Sequence, residues 1–229
     1  MKSRFASNIA RQQTTMRTIE EIISICSPFS MISPERMTAN IKAVHDAQEK
    51  SIPGCIIECG VWRGGSLLSM ILAAENYPSI EREFHAYDTF AGMTPPTPAD
   101  VDCNNQAAKT LIDSDPWVRC ISHLDEVQHN ISSHTSIVPQ YHVGDIVETR
   151  VVPSPIAVLR LDTDWYESTR FELETFFPHV SPGGYVIIDD YGHWKGCKQA
   201  VDEFLAAHPD IILHTTDYTG RYFVKPTYA

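Results

Sequence analysis

The chain has 229 residues, 43% hydrophobic and 21% charged, which is room for one sizeable globular domain and too little for two independent ones. Its formal net charge of −11, with no run rich in Lys or Arg, argues against nucleic acid or an anionic membrane as the main partner. No apolar stretch approaches membrane-spanning length, no signal-peptide apolar core opens the chain, and six cysteines show neither CxxC nor zinc-like spacing, so a cytoplasmic protein is expected.

In chain order, residues 1–13 are polar and are expected to fray or to serve contacts between subunits. Thr14 to Cys26 carries Met16, Ile19, Ile22, Ile23 and Ile25 at roughly helical spacing, which predicts a helix stopped near Pro28. Ser33 as N-cap and Pro34 at the first helical position start a second helix that should run to about Lys50. Residues 1–50 are therefore expected to form a helical cap over one face of a site.

Strand and helix then alternate. Strands are predicted at Cys55 to Cys59, Phe84 to Asp88, Tyr141 to Asp145, Ile156 to Leu161 and Tyr185 to Ile188. Helices are predicted from Ser66 to about Asn76, from Tyr166 to Phe177 and from Gly196 to Ala207. Ser181 to Gly184 reads as a turn, and Tyr218 to Gly220 as the turn of a closing hairpin between Ile211–Thr215 and Tyr222–Lys225. This alternation implies an α/β fold, a doubly wound, mostly parallel seven-stranded sheet with an antiparallel C-terminal hairpin. Residues 1–229 are read as a single domain. The long connection 92–140, Pro-rich at its start and helical from about Asp115 to Asn130, is expected to be a lid or acceptor-binding insertion.

Two apolar runs end in acids. Ile156 to Leu161 delivers Asp162, Asp164 and Glu167, and Tyr185 to Ile188 delivers Asp189 and Asp190. Carboxylates brought to one sheet edge repel unless a cation intervenes. An all-carboxylate set favours a hard ion such as Mg2+ over zinc. Glu167 is expected to favour its helix N-terminus instead.

The remaining strand ends describe a nucleoside site. The turn from Glu58 to Ser66 (ECGVWRGGS) has GxxxGG spacing, not GxGxxG, and no P-loop lysine follows. Glu58 would repel phosphates and suits a ligand with a cationic end. Asp88 is placed for ribose hydroxyls, and Asp145 for an adenine amino group. S-adenosylmethionine, cationic and without phosphate, fits all three.

These stretches resemble one family. Glu58 to Ser66, Tyr87 to Thr94 (YDTFAGMT), Leu159 to Thr169 (LRLDTDWYEST) and Pro182 to Cys197 (PGGYVIIDDYGHWKGC), with Ser33 to Arg36 and Asp217 to Gly220, are similar to the macrocin O-methyltransferase (TylF/MycF) family. The resemblance covers roughly residues 30–226 and is weakest over 100–140. It implies a Rossmann-like class I methyltransferase, dependent on S-adenosylmethionine and Mg2+, that methylates hydroxyls of natural products such as the sugars of antibiotics. Carried over, Asp162, Asp189 and Asp190 would hold the metal and Asp164 would be the general base. The cofactor site would comprise Glu58, Gly60, Val61, Trp62, Gly65, Ser66, Asp88, Thr89, Asp145 and Asp162. The expected partner is a small-molecule hydroxyl acceptor, a glycoside, and the expected assembly a homo-oligomer, dimer or larger. A non-sugar diol is the first alternative acceptor, a non-catalytic protein of the same fold the second reading, and a nicotinamide dehydrogenase the third. His193, beside the acids, is read as either an assisting or a packing residue.

Overall fold

The computed structural model describes residues 16–148 and 151–227, so the expectation for residues 1–13 lies outside the described residues. Seven strands, β1 (Cys55–Cys59), β2 (Phe84–Asp88), β3 (Gln140–Val143), β4 (Ile156–Leu161), β5 (Val180–Ile188), β6 (His214–Thr215) and β7 (Arg221–Val224), form one sheet ordered β3-β2-β1-β4-β5-β7-β6. The first five pair in parallel, and β7 runs antiparallel to both β5 and β6. The helices are α1 (Ile19–Cys26), α2 (Pro34–Glu49), α3 (Gly65–Glu75), α4 (Ala108–Ser114), α5 (Leu124–Ser132), α6 (Tyr166–Phe176) and α7 (Lys195–Ala207).

The two-residue period of the strands divides the core into two layers. Ile56, Ala86, Val158 and Ile187 pack with Ile22, Ile41, Val44 and Leu68 of the first three helices. Ile57, Leu159, Leu161 and Ile188 pack on the other face with Leu173, Phe176 and Val201 of α6 and α7. Burial on both faces explains why β1 and β4 are apolar without alternation, apart from Glu58 and Arg160. Among the described residues, no helix is long and apolar enough to cross a membrane.

Several local expectations are corrected. Ser181 to Gly184 is no turn. It is the start of β5, where Gly183 takes a φ of 80° and the register against β4 shifts between Ile156 and Val158. The single helix expected from about Asp115 is instead a 3-10 turn, Pro116–Arg119, followed by α5, and α4 precedes it unforeseen. The strand expected from Ile211 is formed only at His214–Thr215. The helix expected from Thr14 begins at Ile19, where the Thr18 side chain caps Glu21 N and the Glu21 carboxylate accepts from Thr18 N. α2 begins as read, with Ser33 accepting from Arg36 N at 3.1 Å and Pro34 in the first turn. It buries Met37, Ile41 and Val44 in the layer against the sheet, so it is a core helix of which only the N-terminal end reaches the cleft described below.

The order in which the chain adds parallel strands reverses between β1 and β4, and the crevice at such a switch point is where open α/β sheets bind ligands. Register brings the acids to it. Cys59 faces Leu161, and Leu161 faces Ile188, so the next residues, Gly60, Asp162 and Asp189, emerge together. Backbone bonds continue the ladder past the strand ends: Gly60 N to Tyr87 O at 2.8 Å, Asp162 N to Cys59 O at 2.8 Å and Asp189 N to Leu161 O at 2.9 Å.

Candidate active site

A cleft of about 460 Å³ opens at this edge, in the size range of small-molecule sites. Its walls include Gly60, Val61, Trp62, Ser66, Asp88, Thr89, Asp145, Asp162, Asp164, Asp189 and Asp190, so most of the expected positions converge. Phe29 and Met31, from the connection between α1 and α2, and Met93, Trp117 and Cys120, from the 92–140 connection, also line it. A groove of about 520 Å³ runs elsewhere, between α2 and the β5–β7 surface. Its Asp46 carboxylate already accepts from Tyr185 and Lys50, and it gathers no comparable set of acids.

The glycine-rich turn is held from below. Gly60 has a φ of 81°, and a Cβ there would sit 1.8 Å from the carbonyl oxygen of Asp162. Gly60→Ala is therefore expected to cost on the order of 3 kcal/mol, through left-handed strain plus a clash with backbone that cannot yield. A urea midpoint equal to that of the parent would contradict this. The Asp88 carboxylate caps the turn, accepting from Val61 N at 2.7 Å, Trp62 N at 2.9 Å and, through Oδ1, from Phe90 N at 2.8 Å. Asp145 accepts from Val147 N at 3.1 Å on the facing wall.

Two expected cofactor residues lie behind the wall. Gly65 is buried under the Cys26 and Phe29 backbone, whose oxygens a Cβ would meet at 2.7 Å; its smallness serves helix packing. Glu58 is fully buried. It does not offer its charge to the cleft, because it accepts from Arg160 Nη1 at 2.7 Å and from the Ser66 hydroxyl. Burial pushes its carboxyl up to about 8 against the pull of Arg160, and its Oε2 has no partner among the described residues.

Arg160 was not anticipated from the sequence. It is fully buried one residue from the C-terminal end of β4, directly beside Glu58 in register, and also donates to Asp162 at 2.6 Å and to Asp189. Burial opposes its charge, but Asp162, Asp189 and Glu58 together hold it protonated. Arg36, from the first turn of α2, reaches the far oxygen of Asp189 and donates to Asp217 at 3.1 Å. Ser33, the N-cap, donates to the same Asp217 oxygen at 2.7 Å, so the 216–220 loop is tied to the start of α2. Glu172, also missed, is buried beneath the Leu161–Asp164 turn and accepts from Thr163 at 2.9 Å.

Above these arginines the carboxylates crowd. One oxygen from each of Asp162, Asp189 and Asp190 falls within 4.8 Å of the others. Burial and the neighbouring acids push Asp190 well above the usual carboxylate range, and burial with Asp162 pushes Asp189 up to about 6. Among the described residues, no donor reaches the Asp190 side chain. Asp164 stands beside the three with a φ of 68°, its Oδ1 accepting from Trp194 Nε1 at 2.7 Å. Burial, then Asp162, pushes its carboxyl well up. His193 lines the cleft with its pKa lowered by burial, and Glu167 lies on the surface paired with Arg170.

The 92–140 connection is anchored at its first half. Asp100 is buried and accepts from Tyr166 N at 2.9 Å, Trp165 Nε1 donates to Thr94 O at 2.9 Å, and Lys195 N to Val101 O at 2.9 Å. Trp165 is buried and packs against this half of the connection, and the segment near Trp117 is left to face ligand.

The model of the macrocin-O-methyltransferase (TylF) family matches residues 23–225. The demethyldecarbamoylnovobiocin O-methyltransferase of Streptomyces niveus is 33% identical over 205 residues, covering 86% of this chain and 75% of its own. The mycinamicin III 3''-O-methyltransferase of Micromonospora griseorubida is 31% identical over 183 residues, covering 78% and 71%. The solved structure of the O-methyltransferase NovP matches with a TM-score of 0.76 at 31% identity, over 87% of this chain and 83% of that one.

Proposed function

Since the chain belongs to the macrocin-O-methyltransferase family and is an O-methyltransferase, we propose that it methylates a hydroxyl of a sugar-containing small molecule, using S-adenosylmethionine and Mg2+. The observation that carries this reading is the meeting of Asp162, Asp189 and Asp190 within 4.8 Å at the switch-point edge. An all-oxygen set with one carboxylate free of any donor fits a hard divalent ion, and these three residues would hold it. When bound, the ion would supply positive charge that polarises an acceptor hydroxyl and lowers its pKa.

The methyl donor fits the other half of the cleft. Its sulfonium would supply an electrophilic methyl group. Asp88, already fixed by three backbone amides, presents a carboxylate edge suited to ribose hydroxyls, and Asp145 an acceptor for an adenine amino group. Gly60 lets the backbone pass close, while Val61, Trp62, Ser66 and Thr89 line the wall between. Glu58, engaged with Arg160, acts on this site through the acids it shares rather than by touching the donor.

Asp164 takes the acceptor proton in this reading. Its raised pKa makes it a better base than an ordinary carboxylate, and its Oδ2 has no hydrogen bond among the described residues. The remaining residues orient: Trp117, Met93 and Cys120 border the acceptor end, and Arg36 holds Asp189 from outside.

Calorimetry tests the donor assignment without an acceptor. S-adenosylhomocysteine is expected to bind and NAD not to. The reverse pattern would remove the reading. For turnover, demethyldecarbamoylnovobiocin, named as the acceptor of the 33%-identical relative, is the first probe.

A further inference from the structure

Asp164 sits in an unusual place for a base. Its backbone is left-handed, φ 68°, in the turn that joins β4 to α6, so its side chain is not held by a regular element. Aspartate tolerates this region but gains nothing from it. Of the described residues, only one donates to its carboxylate: Trp194, with Nε1 2.7 Å from Oδ1.

Trp194 is well placed to hold something still. It is buried and stands at the N-cap position of α7, with its own amide donating to Asp190 O at 2.9 Å. Its ring meets Trp165 edge-on, 5.0 Å between centroids, and Trp165 in turn donates to Thr94 O. An isolated bridge joins its backbone to Asp102 of the anchored half of the 92–140 connection. An indole N–H is a donor only, so it selects one carboxylate oxygen as acceptor in every protonation state and leaves the other for the substrate.

We propose that Trp194 is a positioning residue for methyl transfer: its indole N–H fixes the rotamer of Asp164 so that Oδ2, not Oδ1, meets the acceptor proton. This rests on the reading of Asp164 as base. A base displaced by an ångström loses rate without losing ligand affinity, so the effect falls on turnover.

Two measurements test it. In protein labelled at the indole nitrogens, four tryptophan signals are present and the one absent in Trp194→Phe is assigned to residue 194. That signal is expected to move upfield in Asp164→Asn, because a carboxylate acceptor is replaced by a weaker neutral one. No movement would overturn the contact. In turnover with demethyldecarbamoylnovobiocin, Trp194→Phe is expected to lower kcat roughly 10- to 100-fold with the KM for S-adenosylmethionine unchanged. The same change made in Asp164→Asn should have no further effect. An equal loss in both backgrounds would show a merely structural role and overturn the proposal. If Trp194→Phe fails to fold, a benzothienyl-alanine at 194 keeps the ring and removes only the N–H. Near-normal turnover of Asp164→Asn alone would instead remove the base, and the proposal with it.

Discussion

Asp164→Asn is expected to fold, bind S-adenosylhomocysteine like the parent and turn over roughly 10²- to 10⁴-fold more slowly, the usual contribution of a positioned general base. The substitution is chosen for its backbone. Asparagine adopts the left-handed region as readily as aspartate, so the φ of 68° carries no new strain. Its carbonyl oxygen can still accept from Trp194 Nε1, so the buried indole is not left without a partner. What it cannot do is take a proton. Comparing rates under single-turnover conditions keeps product release out of the measurement, and a rate near that of the parent would exclude Asp164 as base.

Removing divalent ions should have the second large effect. With EDTA in excess, turnover is expected to vanish and to return when Mg2+ is added back beyond the chelator. The reason is charge. Glu58, Asp162, Asp164, Asp189 and Asp190 share one edge with the two guanidiniums of Arg36 and Arg160. Like charges so close oppose one another's ionisation, so burial and the neighbouring acids raise the carboxyls of Asp164, Asp189 and Asp190, and a cation among them would offset that. Protonated acids neither chelate nor accept a proton from an acceptor. The arginines cannot replace an ion, because both approach Asp189 and leave Asp190 without a donor. An ion bound only by the folded chain also raises its apparent stability by mass action, so Mg2+ should shift the thermal midpoint upward. Full turnover in chelator would refute the metal role.

How much of this could be read beforehand depended on whether the signal was local. β1, β2 and β4 were bounded correctly because each buried run stops at an acid or a glycine that the sheet edge requires. The acids that line the cleft followed from those ends. Arg160 did not, because one arginine inside an apolar run has no local meaning. Its use depends on β1 and β4 being neighbours, which sets Glu58 beside it. That same pairing gives the Glu58 carboxylate a partner inside the protein, which the strand-end reading of Glu58 did not include. Arg36 and Asp217, 181 positions apart, meet only because β7 folds back against β5, and the Trp194 contact with Asp164 needs α6 and α7 side by side. The turn expected at Ser181–Gly184 failed for a related reason. Proline and glycine there serve a bulged strand start, with Ser181 donating to Pro53 O at 2.7 Å, and composition alone cannot separate the two.

Asp162, Asp189 and Asp190 are proposed to hold one divalent ion. Calorimetric titration of Mg2+ into EDTA-stripped protein, in the presence of S-adenosylhomocysteine, tests it directly and needs no acceptor. One site per chain is expected in the parent and its loss in Asp190→Asn, with S-adenosylhomocysteine binding intact in both. No Mg2+ binding by the parent, or undiminished binding by the variant, would contradict it.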